Sequence, residues 1–60
     1  MNKVEVKVAI MEAEIALHRL KPVVDTVLEQ TSYEEVQIAW NDYCDGFARI
    51  QRALRTVGLL

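Results

Sequence analysis

The sixty residues include one cysteine, one proline, two glycines and one histidine, and these scarcities exclude whole classes of chemistry. A lone thiol, Cys44, cannot close an internal disulfide, so no covalent staple is expected and a reducing, cytoplasmic setting is the default. With glycine only at Gly46 and Gly58, there is no glycine-rich loop to hold a phosphate or build an oxyanion pocket. No run approaches the roughly 18 apolar residues of a membrane span. Lys3, Glu5 and Lys7 stand where a signal peptide needs an apolar stretch, so no membrane contact is expected. Acid is missing from residues 46–60, which carry Arg49, Arg52 and Arg55. Residues 1–45 hold four basic and nine acidic side chains, and the whole chain nets −2. That acidic balance argues against broad nonspecific nucleic-acid binding, while the basic end leaves a local contact open.

Apolar residues, by contrast, are abundant at 52% of the chain. Sixty residues predict one domain, 1–60, near the lower size limit for folding without staples. Two long apolar-periodic segments flank a break at residues 31–35. Ser32 and Glu35 have the spacing of a capping box, and Thr31 with Glu34 repeats it one register earlier. One helix is predicted to end here and another to begin, making an all-α antiparallel hairpin of helices 3–30 and 33–57.

In the first segment Val6, Ile10, Ala13, Leu17, Leu20, Val24 and Val27 recur at alternating spacings of four and three, lining one side of a helix. A second stripe, Val4, Val8, Met11 and Ile15, lies farther round the same helix. Glu5 and Glu12 separate the stripes on one flank, and Lys7, Glu14 and Lys21 on the other. Pro22 removes a backbone donor and crowds the His18 carbonyl, costing about 3 kcal/mol in a regular helix interior. The apolar period continues beyond it in phase, which predicts a kink rather than a stop. The second segment repeats the four-three pattern with bulkier residues: Val36, Trp40, Tyr43, Phe47, Ile50, Leu54 and Val57. Gly58 suits the left-handed position after the last turn. Asp45-Gly46 is a break signal inside an unbroken period, and one glycine costs only about 1 kcal/mol in a helix.

The expected hairpin core is Ile10, Leu17, Leu20 and Val24 against Val36, Trp40, Tyr43, Phe47, Ile50 and Leu54. With the turn near residue 31, Arg19 and Lys21 lie level with Asp42 and Asp45, and Glu5 and Glu12 with the three arginines, so cross-helix charge pairing is expected. The Val4, Val8, Met11 and Ile15 stripe has no place in that core and is assigned to self-association, a dimeric four-helix bundle being the expected assembly. In size and topology this resembles the plasmid-type hairpin dimers among bundle folds. No residue motif accompanies that likeness, so no function comes with it.

Two DNA-binding readings compete. The alternation from Lys3 to Val8 fits a short strand, and a strand with two helices resembles the ribbon-helix-helix DNA binders. Glu5 would then face phosphates, and the second helix is longer than that fold needs. A turn at residues 44–46 would instead make a helix-turn-helix carrying Arg49, Arg52 and Arg55 to an anion or a partner. Catalytic and metal-binding combinations are sparse. His18 and Cys44 fall at one level without a third orienting group, and Glu14 with His18 offers two metal ligands where a site needs more. No catalytic, metal or cofactor site is assigned, and no enzyme activity is expected. The expectation is a small interaction module that oligomerises and regulates or inhibits a protein partner, in the manner of accessory proteins of viruses and mobile elements. Nucleic-acid binding and a structural role in a larger assembly are the alternatives.

Overall fold

The computed structural model describes residues 2–60; Met1, the first residue of the expected domain, lies outside the described residues. Two helices, α1 (Lys3–Gln30) and α2 (Glu34–Thr56), are joined by three residues and pack against one another as an all-α hairpin. The Lys3–Val8 alternation is helical throughout, so the strand that a ribbon-helix-helix arrangement requires is not formed.

The start of α1 is fixed by Asn2, whose side-chain Oδ1 accepts from the Glu5 N–H at 2.9 Å, satisfying one of the orphan donors of the first turn. The helix then runs through Pro22 without a break. Pro22 and His18 both lie on the exposed side, so water can solvate the His18 carbonyl that the proline leaves without a donor. The Thr26 hydroxyl donates to the Pro22 carbonyl at 2.9 Å, and a Lys21–Asp25 pair at 3.0 Å spans the same turn.

The turn is built differently from the expected capping box. Thr31 Oγ1 accepts from the Tyr33 N–H at 2.9 Å, a local turn within the loop. Tyr33, at φ −72° and ψ 100°, is the residue before α2 and makes no side-chain cap bond. With Tyr33 outside the helix, Ser32 stands one residue too early to reach the first-turn donors. Glu34 and Glu35 still bring negative charge to the positive end of the α2 dipole. Gly46 does not interrupt α2, so the helix-turn-helix reading loses its turn. At the far end Gly58 has φ 80°; its N–H donates to the Arg55 carbonyl at 3.1 Å, and the Leu59 N–H donates to Leu54 at 2.8 Å. These two bonds are a Schellman termination.

The seam between the helices is shallow. Val6 is the one buried residue among the described residues, at 5% exposure, and no side chain there is fully enclosed. Ile10, Ala13, Leu17, Val24, Val27 and Leu28 are half-buried on α1, and Val36, Trp40, Cys44, Phe47, Gln51 and Leu54 on α2. Three residues expected in the core are corrected: Leu20, Tyr43 and Ile50 are 43–55% exposed. At about 100° per residue, Tyr43 and Ile50 stand roughly 60–80° round from Trp40. The four-three stripe is wider than the strip α1 can cover. Contact takes one edge of it, admits Cys44 and Gln51 from the other side, and leaves Tyr43 and Ile50 in the open.

Candidate interaction surfaces

The Cα trace measures 42 × 18 × 11 Å. Two helices side by side make one layer, with no third element above or below it among the described residues. Both broad sides of the hairpin are therefore unroofed, and they differ in chemistry. On one side Gln51 Nε2 donates to Glu14 Oε1 at 2.9 Å, a hydrogen bond joining the two helices. Lys21, Asp25, Gln37 and Asn41 continue that polar surface, with Gln37 Nε2 donating to Asn41 Oδ1 at 2.9 Å.

The other side is apolar. A groove of about 340 Å³ opens between the helices, lined by Leu20, Val24, Val36, Ala39, Trp40 and Tyr43. It runs through Tyr43 into a second hollow of about 290 Å³ formed with Asp42, Gly46, Phe47 and Ile50. Trp40 and Tyr43 stack along the floor, with ring centroids 6.2 Å apart and planes inclined by 22°. Small residues broaden this face: on the α1 side Ala9, Ala13 and Ala16, and on the α2 side Ala39, Gly46 and Ala53. A Cβ added at Gly46 would meet nothing within 4 Å, so that stretch of the face is open.

The stripe assigned to self-association forms a separate surface. Val4, Val8, Met11 and Ile15 are 46–70% exposed and lie on the side of α1 turned away from α2. The hairpin thus presents two apolar surfaces, and only the Val4 stripe was legible as unpartnered from periodicity. The broad face was hidden because its residues belong to stripes that look like core in a linear sequence.

The charged residues do not pair as expected. Neither Arg19–Asp42 nor a bridge from Glu5 or Glu12 to the arginine end is made. The ion pairs among the described residues are local, Lys21–Asp25 at 3.0 Å and Arg49–Asp45 at 3.4 Å, each within one helix and exposed. The reason is angular: Glu5, Glu12, Arg19, Glu35, Asp42 and Arg49 sit on the outer rim of the broad apolar face, roughly 100–180° round from the seam. Arg49, Arg52 and Arg55 turn through about 120° along α2, so they share no flat cationic face.

No group of three or more His, Cys, Asp or Glu side chains gathers to hold a metal ion among the described residues. The Glu14 carboxylate, one of the two candidate ligands, is engaged by Gln51. Cys44 is a half-buried free thiol on the seam, where it serves as a small packing residue. No helix of the described residues is long and apolar enough to cross a membrane. Comparison with protein-family models, curated proteins and solved structures finds no match to the chain.

Proposed function

We propose that this chain is a non-catalytic interaction module that self-associates and, through a separate surface, regulates or inhibits a protein partner. One observation carries the reading: among the described residues only Val6 is buried, while large apolar residues on two separate surfaces stay 43–70% exposed. Contiguous exposed apolar area on a small protein marks sites that other chains cover. Two such surfaces provide for two kinds of contact, one with a further copy and one with a different protein. The Val4, Val8, Met11 and Ile15 stripe, assigned to self-association from the sequence, is given the second role in this reading, because a narrow row on one helix fits a groove of another protein.

The test is capture from cells of the native source with the tagged chain, compared with Met11→Glu and Ile15→Glu variants. A protein retained by the parent chain and by Ile50→Glu, but lost with the two stripe variants, supports the reading. Retention of the same protein by all of them would place its contact elsewhere and overturn the role given to the stripe.

A further inference from the structure

We infer that the broad apolar face is the docking surface for a second copy of this chain, with α1 of each copy lying against α2 of the other. This deepens the self-association half of the proposed function and rests on it. Three independent features point to the same occupant.

The first is area. Compact monomers of 6.9 kDa expose about 4,000 Å² by the scaling of surface with mass. This hairpin exposes 4782 Å², a surplus of about 800 Å², which matches the area each partner contributes to a standard protein interface. The second is shape. The α1 half of the face carries the small residues Ala9, Ala13 and Ala16 beside Leu20, whereas the α2 half projects Tyr43, Ile50 and Val57 between the small Ala39, Gly46 and Ala53. Facing α1 with α2 of the copy brings Ile50 of the copy level with the gap between Ala9 and Ala13, and Tyr43 of the copy with the gap between Ala16 and Leu20, so the projecting residues fall where α1 leaves room. Facing α1 with α1 would bring small residues together on one side and bulky ones together on the other, so one pair of helices would close while the other was held apart.

The third is charge. Residues thirty positions apart on the two rims repeat one order: Glu5, Glu12, Arg19 and Thr26 on α1, then Glu35, Asp42, Arg49 and Thr56 on α2. A two-fold axis along the bundle keeps every residue at its own height and swaps the helices across the interface. Arg19 then lies near Asp42 of the second copy, and Glu12 near Arg49 of the second copy. Like charges are kept apart at every one of these positions. Within one hairpin these side chains point away from the seam and make no cross-helix pair, Arg49 meeting only Asp45 of its own helix, so their complementary order can pair one helix with another only between copies. Rim charges of this kind favour a second copy as the occupant more than they add affinity. Because α1 facing α1 would also set Arg19 near Glu12 and Asp42 near Arg49, the choice between the two arrangements rests on shape and on the charge exchange below.

The decisive experiment is sedimentation of the purified full chain over a wide concentration range, with variants Arg19→Glu, Asp42→Arg, their double exchange, Ile50→Glu and Met11→Glu. The parent chain is expected to dimerise. Each single charge reversal should weaken the dimer about two- to five-fold, and the double exchange should restore it. Ile50→Glu should weaken it at least about tenfold, and Met11→Glu should leave it unchanged. If α1 instead faced α1, the double exchange would set the carboxylate introduced at position 19 against Glu12 and the guanidinium introduced at position 42 against Arg49, and would be worse than either single change. That outcome, or a dimer insensitive to Ile50→Glu and broken by Met11→Glu, overturns this interface while leaving self-association standing. A parent chain that stays monomeric at every concentration overturns self-association itself. Circular dichroism on each variant separates loss of the dimer from loss of the helices.

Discussion

Gly58 and Asn2 show how single side chains set the ends of long helices. Gly58 adopts φ 80° and closes the last turn of α2 through two backbone bonds. An L-residue in that conformation costs roughly 1–2 kcal/mol, so Gly58→Ala is expected to lower stability by about that amount in urea titrations. Gly46 predicts the opposite sign. It lies inside α2 with nothing within 4 Å of an added Cβ, so Gly46→Ala should raise stability by up to about 1 kcal/mol. That measurement belongs at dilution, where only the hairpin contributes. Gly58 was recognisable beforehand from its place after the last periodic residue. The cap at Asn2 also had a sequence signal, the Asn2-x-x-Glu5 spacing, which the neighbouring strand-like alternation obscured.

Among the elements, the turn and Pro22 are where local rules and actual geometry part. The Ser32–Glu35 spacing satisfies the capping-box pattern, yet Thr31 draws the Tyr33 N–H into a tighter turn and α2 begins at Glu34. Ser32→Ala should therefore change stability by less than about 0.5 kcal/mol, whereas Asn2→Ala, which removes a bond that is made, should cost about 1 kcal/mol. Reversed magnitudes would mean that Ser32 is the working cap. Pro22 stays inside α1 because its ring and the His18 carbonyl both face outward, where water replaces the missing donor. Pro22→Ala restores that donor and should stabilise the chain by as much as about 3 kcal/mol, visible as a higher thermal midpoint.

On the scale of the whole molecule, the radius of gyration is 14.1 Å, against about 10 Å for a compact sixty-residue domain. The hairpin is a plate one helix thick, polar on one broad side and apolar on the other. Trp40, the chain's single tryptophan, lines the apolar groove and reports on whatever covers it. Its emission should shift to longer wavelength as the protein is diluted, in step with a fall in thermal midpoint, because association stabilises by mass action. A spectrum and midpoint independent of concentration would mean that nothing leaves this face on dilution.

Two helices, their joining point and the left-handed stop at Gly58 followed from the amino-acid order alone. Periodicity, a short polar break and a glycine act over a few neighbouring residues, so a linear reading captures them. Which part of each apolar stripe meets the other helix was decided only in three dimensions. A stripe repeating at four and three spans enough of the helix circumference to serve two neighbours, and a hairpin supplies only one. Packing therefore took Cys44 and Gln51 into the seam and left Leu20, Tyr43 and Ile50 outside it, and the same rotation carried the rim charges beyond each other's reach.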